Sequence, residues 1–175
     1  RLMAEWMRVG FVHGVMNTDN LSILGLTIDY GPYGWIDAYD PDWTPNTTDA
    51  MGKRYRFGWQ PRVAYWNLGQ LARALSPLFA DPAPQQAGLQ RFGEAYAAAD
   101  RDNTARKMGL AECRDGDVDL VRDLHGLLHA HEVDAADAAN ADDASVVVKA
   151  GNAAKQKCSA CASCCSLCAI LTTVP

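Results

Sequence analysis

The sequence predicts a mainly α-helical fold that carries one small β-hairpin. A stripe of apolar residues at helical spacing runs through residues 2–9. A second stripe starts after Pro61 and stops at Pro77, as expected for a helix that begins with proline in its first turn and is ended by the next proline. Two short apolar runs, 21–24 and 26–28, are separated by a single glycine and predict the hairpin.

The remaining chain divides into helical segments, a loop and a tail. Apolar periodicity predicts two further helices, at about Gln85–Met108 and about Gly116–His131. Residues 37–60 are polar and rich in Asp, Pro, Asn and Thr, which predicts a long irregular loop. The composition changes after Asp134. We therefore expect a folded region, 1–134, and an Ala- and Cys-rich tail, 135–175, that is disordered or outside the domain.

Composition narrows the range of partners. The 175 residues carry a formal net charge of -5, which argues against a general nucleic-acid binder. No apolar run approaches the roughly 20 residues that span a bilayer, so we expect neither nucleic acid nor membrane as a partner. The chain starts with Arg1 inside an amphipathic segment, which suggests that it begins within a longer domain. A targeting segment would then lie upstream, and we expect a cytoplasmic protein in a bacterium or a mitochondrial one in a eukaryote.

The chemically suggestive residues lie close together near the start of the chain. His13, Asp19 and Asn20 precede the predicted hairpin, and Asp29 follows it. A divalent cation that carries nucleotide phosphates takes one or two carboxylates plus phosphate oxygens. Asn20 and Asp29, at the two ends of the hairpin, could supply oxygens to one Mg²⁺, and Asp19 could accept a proton from an incoming hydroxyl. The segment therefore predicts a magnesium-nucleotide site.

Each of these residues also has a structural alternative. His13 fits a buried histidine that bonds to backbone carbonyls, and we favour this role over proton transfer. Asp29 stands in an Asp-Tyr-Gly sequence, where it could cap a turn. Asp19 could be an exposed loop carboxylate without a chemical role.

The order of these residues resembles the catalytic half of a protein-kinase-like fold, in which a His/Asp/Asn loop precedes an Asp-x-Gly metal loop. Asp19 and Asn20 are adjacent, whereas ordinary protein kinases separate the two roles along the chain. The stretch 10–37 is similar to the selenoprotein O family, also called SelO or YdiU. The similarity continues in the same order over about 1–134, through the segments 52–57, 60–68 and 107–110.

The resemblance implies an activity and roles for three residues. SelO-like proteins are atypical kinases that transfer AMP from ATP to Ser, Thr or Tyr hydroxyls of proteins, with ATP reversed relative to ordinary kinases. The resemblance implies that Asp19 is the catalytic proton acceptor and that Asn20 and Asp29 are ligands of Mg²⁺ or Mn²⁺. It also implies that Asp29 contacts ATP through the ion. The fold implied is the C-terminal lobe of a kinase-like (SelO-type pseudokinase) domain, incomplete at its N-terminus. We therefore expect the isolated chain to be inactive.

The sequence is also compatible with two other functions. The kinase-like order alone would fit a conventional phosphotransferase, and the same residues would fit a non-catalytic nucleotide-binding module. A third possibility concerns only the tail, where Cys158, Cys161, Cys164 and Cys168 have the spacing of an iron–sulfur ligand set. The Ser- and Ala-rich surroundings and the lack of a proline after the last cysteine argue against a cluster.

Several basic and aromatic residues remain unassigned. Arg54, Arg56 and Arg62 could contact phosphate or an acidic peptide, or could simply be solvated. Trp59 and Trp66 fit a core or a docking surface better than a cofactor stack. The histidines His125, His129 and His131 lack the Glu of a zinc-protease helix, so packing or solvation is the better interpretation.

Overall fold

The computed structural model describes residues 1–130. Within this range the chain is mainly helical, as the sequence predicts, and it contains one small two-stranded antiparallel sheet. The elements are α1 (Leu2–Val9), β1 (Phe11–Val12), β2 (Gly34–Trp35), α2 (Gln60–Leu75), α3 (Ala83–Lys107) and α4 (Asp115–Ala130), with single 3₁₀ turns at Thr18–Asn20, Phe57–Trp59 and Ser76–Leu78. No helix in the described range is long and apolar enough to cross a membrane.

All four predicted helices are present at close to their expected positions. The predicted end of the last helix, His131, lies outside the described residues, as do the domain boundary after Asp134 and the cysteine cluster of the tail. The predicted irregular loop, 37–60, is confirmed as far as residue 56, whereas the rest of that range forms the 3₁₀ turn Phe57–Trp59 and the first residue of α2.

The predicted hairpin is wrong in its extent. Leu21 pairs with Thr27 through one isolated antiparallel bridge, around a turn in which the Gly25 N–H donates to the Ser22 carbonyl at 3.1 Å. The apolar side chains at its tip are largely exposed: Ile23, Leu24 and Leu26. A two-stranded ribbon needs an apolar face packed against another layer, and the described residues provide none here. The sheet forms instead between β1 and β2, which pair Phe11 with Trp35 and Val12 with Gly34.

The described chain falls into two compact units. The first contains Arg1–Trp35 and Pro41–Arg101. Its buried core is formed by α1, β1, the loop after β1 and α2, and consists of Met3, Trp6, Phe11, Met16, Val63 and Ala64. Helix α1 ends at Gly10, whose left-handed backbone (φ 71°) lets its N–H return to the last turn. The chain then enters β1 and delivers the following loop onto this core.

The second unit contains Ile36–Asp40 together with the described residues from Asp102 onward. The His125 ring stacks on Tyr39 with ring centroids 4.7 Å apart, and His129 Nδ1 lies 3.2 Å from the Tyr39 carbonyl oxygen. These contacts confirm the packing interpretation of the two histidines.

Candidate functional site

Four side-chain amides hold the backbone of the loop that follows β1. We call residues 13–20 the site loop. The bonds run from the His13 N–H to Gln60 Oε1 (3.0 Å), from Asn46 Nδ2 to the Gly14 carbonyl (3.0 Å), from Asn20 Nδ2 to the Val15 carbonyl (3.0 Å) and from Asn67 Nδ2 to the Met16 carbonyl (2.9 Å). Leaving a buried backbone group unpaired costs about 1–3 kcal/mol, so each amide favours one position of the loop.

Two of these amides come from the inner face of α2. Gln60 and Asn67 lie two turns apart on one side of the helix, alongside Val63 and Ala64, and all four are buried. Gln60 also donates from Nε2 to the Phe11 carbonyl at 2.8 Å, so it bonds both β1 and the site loop. Sequence reasoning missed this role. The available signal was a pair of carboxamides at helical spacing on an otherwise apolar face.

His13 lies at the centre of the site and is completely buried. The Val15 N–H donates to His13 Nδ1 at 3.3 Å, which requires that nitrogen to be unprotonated. The other ring nitrogen, Nε2, therefore carries the hydrogen and donates to the Ile28 carbonyl at 2.7 Å. Burial lowers the pKa of His13, although the Ile28 carbonyl and the Asp29 carboxylate oppose the shift. The ring is thus neutral near pH 7, and the predicted structural role is confirmed.

A hydrogen-bonded path joins the two residues that we expect to bind the metal. It runs from the Asn20 amide to Val15, from Val15 to the His13 ring, and from His13 to the carbonyl of Ile28, the residue before Asp29. The Leu21–Thr27 bridge closes the same segment on its other side. The Asn20 amide uses its nitrogen as the donor in this path, and its Oδ1 is the atom that could accept a cation. The structure therefore connects both predicted ligands through one buried group.

The backbone is unusual at two positions of this site. Asp29 has φ 51°, in the left-handed region that few residues other than glycine occupy, although Asp tolerates it better than most. Gly14 has φ 81°, and a Cβ at this residue would lie 2.5 Å from the Pro32 carbonyl oxygen. Only glycine allows the site loop to approach the 31–34 turn this closely.

Asp19 lies in the 3₁₀ turn Thr18–Asn20 and is exposed. Within residues 1–130 its carboxylate makes no hydrogen bond or ion pair, so it is accessible to an incoming hydroxyl. The turn is anchored just upstream, where the Tyr55 hydroxyl donates to Asn17 Oδ1. This contact holds the backbone just before Asp19 against the segment that precedes α2.

The residue types expected to bind a cation here, one carboxylate and one amide, suit magnesium better than a softer metal. Among the described residues, no three His, Cys, Asp or Glu side chains come together as a metal-binding group. The two ligands that we expect, Asn20 and Asp29, would supply one amide oxygen and one carboxylate. Magnesium is commonly bound in this way, through one or two side chains with water and substrate phosphate completing the shell.

Comparison with known proteins shows the family to which this chain belongs. Residues 1–145 match the family model described as "Protein adenylyltransferase SelO", and the chain belongs to that family. The resemblance on which the sequence analysis relied is thereby confirmed.

Similar bacterial proteins carry the name "Protein nucleotidyltransferase YdiU". The chain is 71% identical to one from Xanthomonas campestris pv. campestris (strain 8004), over 133 residues that make up 76% of this chain and 26% of the relative. It is 70% identical, with the same coverage, to relatives from Xanthomonas oryzae pv. oryzae (strain MAFF 311018) and Xanthomonas axonopodis pv. citri (strain 306). The chain thus spans about a quarter of the length of these relatives.

Proposed function

We propose that the protein containing this chain transfers AMP from ATP to Ser, Thr or Tyr hydroxyls of acceptor proteins and releases pyrophosphate. The family description supports adenylyl transfer as the reaction. The observation that carries the assignment of residues is the buried path from Asn20 through His13 to the Asp29 segment. This path supports a fixed relation between the Asn20 and Asp29 segments, and Asp19, the neighbour of Asn20 in the chain, is exposed.

Each residue has a distinct role in this proposal. The acceptor hydroxyl oxygen attacks the α-phosphorus of ATP, the bond from that phosphorus to the bridging oxygen of pyrophosphate breaks, and Asp19 accepts the hydroxyl proton. Asn20 Oδ1 and the Asp29 carboxylate would hold Mg²⁺ or Mn²⁺, and through this ion Asp29 would serve ATP binding. The cation would supply neutralisation of the phosphate charge. His13 stays neutral and holds the two ligand segments in position.

Activity of the isolated chain is a separate part of the proposal. The matched segment makes up 26% of the relatives' length, so most of an enzyme of that length lies outside it. We expect the phosphate contacts to ATP to lie mainly in that remainder. The 175 residues alone should therefore show little or no nucleotide transfer.

The reaction is tested with a longer protein that contains this chain, given Mg²⁺ and ATP labelled on either the α- or the γ-phosphate. Protein-bound label should come from the α-phosphate, and intact mass should show an adenylyl adduct. Label from the γ-phosphate would instead indicate the conventional phosphotransferase. Asp19→Asn and Asp29→Asn should each reduce the rate by about 100-fold or more. The matched control is Asp123→Asn, which changes an exposed carboxylate on α4 and should leave the rate unchanged.

Metal binding can be tested on the 175-residue chain itself. Paramagnetic Mn²⁺ should broaden the backbone NMR signals around Asn20 and Asp29 first, because broadening is strongest close to the ion. Asp29→Asn should abolish this local effect, whereas Asp123→Asn should preserve it. Uniform broadening of exposed carboxylates in both variants would contradict the assignment of the two ligands.

A further inference from the structure

A groove follows the outer face of α2, on the side of the helix that does not contact the site loop. Its volume is about 430 Å³. The residues that carry the argument are Arg54, Trp59, Arg62, Tyr65, Trp66 and Arg73. We call this feature the α2 groove. Its lining contains three arginines and no carboxylate, in a chain whose overall charge is negative.

The arginines lie against exposed aromatic rings. The Arg54 guanidinium carbon lies 4.8 Å from the centre of the Trp66 ring, and that of Arg62 lies 5.1 Å from the Trp59 ring. Trp59 and Trp66 are 38% and 46% exposed. A guanidinium that lies over an aromatic face keeps the N–H groups at its edge available. These N–H groups can form bidentate hydrogen bonds with a carboxylate. The groove therefore presents apolar faces and anion-binding edges together.

These arginines differ from a neighbour that already has a partner. Arg56 also lies over Trp59, at 3.7 Å, and is paired with the Asp42 carboxylate at 2.8 Å. Within residues 1–130, Arg54, Arg62 and Arg73 form no ion pair. The groove thus concentrates positive charge that the described chain does not neutralise, and complementary negative charge is the property expected of an occupant.

The spacing of the charges distinguishes between kinds of anion. Arg62 and Arg73 are separated by eleven positions along α2, which is about 16 Å at 1.5 Å per residue. An extended peptide covers that distance with about five residues at roughly 3.3 Å each. A compact phosphate group would contact one end of this row only. The exposed Trp66 ring, between Arg62 and Arg73 along the helix, also suits apolar side chains of a peptide.

We propose that the α2 groove binds an extended acidic segment of a partner protein. Its carboxylates pair with Arg54, Arg62 and Arg73, and its apolar side chains pack on Trp59 and Trp66. This interaction surface goes beyond the transfer reaction and does not depend on it. The inner face of the same helix supports the site loop, so one helix would serve both the partner and the catalytic segment.

The test measures peptide binding to the complete 175-residue chain by fluorescence anisotropy. The probe is a fluorescein-labelled decapeptide of alternating Glu and Leu, compared with the same peptide carrying Gln in place of Glu. We expect the Glu peptide to bind at least about 10-fold more tightly, with an affinity that falls as salt is raised. Arg62→Glu and Arg73→Glu should each weaken binding by about 10-fold. Arg91→Glu, which reverses an exposed arginine on α3, is the matched control and should have no effect.

A second variant blocks the groove by volume instead of charge. A Cβ added at Gly69 would meet no atom within 4 Å, so a side chain can start there without a clash, and we expect Gly69→Met to occupy the groove. Methionine is also a better helix former than glycine, and the variant should keep the wild-type circular dichroism spectrum. We expect it to lose the Glu peptide.

Four results would overturn the proposal, three from peptide binding and one from sedimentation. The first is equal affinity for the Glu and Gln peptides. The second is unchanged binding in both Arg62→Glu and Gly69→Met. The third is tighter binding of inorganic triphosphate than of the Glu peptide in competition, which would assign the groove to a compact phosphate. Sedimentation of the chain alone is a further check, since a concentration-dependent dimer that Arg62→Glu abolishes would make a second copy the occupant.

Discussion

Removal of the Gln60 side chain should destabilise the protein strongly, although no charge and little apolar surface is lost. Gln60 is completely buried and bonds to the His13 N–H and the Phe11 carbonyl. In Gln60→Ala both backbone groups stay buried without a partner. At about 1–3 kcal/mol each, the expected loss is roughly 2–6 kcal/mol of unfolding free energy. For a chain of this size, a loss near 3 kcal/mol corresponds to a decrease in Tm of about 6–12 °C.

Urea unfolding followed by tryptophan fluorescence provides the measurement. Trp6 is a suitable reporter because it is buried and its ring centre lies 5.2 Å from that of Phe11. Gln86→Ala, which removes an exposed carboxamide from α3, is the matched control and should change stability by less than about 0.5 kcal/mol. If Gln60→Ala behaves like this control, the amides do not hold the site loop and the reasoning is refuted.

Three further perturbations test other parts of the site. Burial lowers the pKa of His13 below its usual 6.5, so just below that pH the unfolded chain binds a proton that the folded chain does not. The free energy of unfolding should therefore fall as the pH decreases below about 6.5, and it should fall less in His13→Gln. Unfolding curves measured across this pH range provide the test. Gly14→Ala should cost at least about 1–2 kcal/mol of unfolding free energy, because a left-handed backbone and contact with the Pro32 carbonyl both oppose a Cβ; thermal unfolding unchanged from wild type would contradict this. Asp29→Asn should retain the wild-type Tm, since Asn also tolerates a left-handed backbone, whereas Asp29→Ala should lower the Tm. Equal Tm values for the two variants would argue against backbone strain at this position.

The sequence predicted the helices because their apolar stripes are long and periodic. The stripe of residues 2–9 and the helix after Pro61 both appear where expected. The hairpin that the sequence predicts is too long, since short apolar runs such as those at 21–28 can equally form a loop with an exposed tip. Periodicity describes which side chains can share a face. It does not show whether another layer covers that face.

The site was predictable only in part. The chemistry of Asp19, Asn20 and Asp29 could be inferred from residue types and from family resemblance, and their roles stay predictions. The supporting amides Asn46, Gln60 and Asn67 were not found, because each lies far along the chain from the loop that it bonds. Contacts between distant segments depend on the packing of α2 against the first helix and strand, which sequence spacing does not reveal.

The way the site loop is held has a consequence for salt dependence. Its supports are uncharged amides in the interior, and dissolved ions screen such bonds little because no net charge is involved. Surface arginines in the α2 groove respond in the opposite way. Raising the ionic strength should therefore weaken binding of an acidic partner to the α2 groove while the arrangement around His13 persists. A salt titration of one preparation can thus separate partner binding from the transfer reaction.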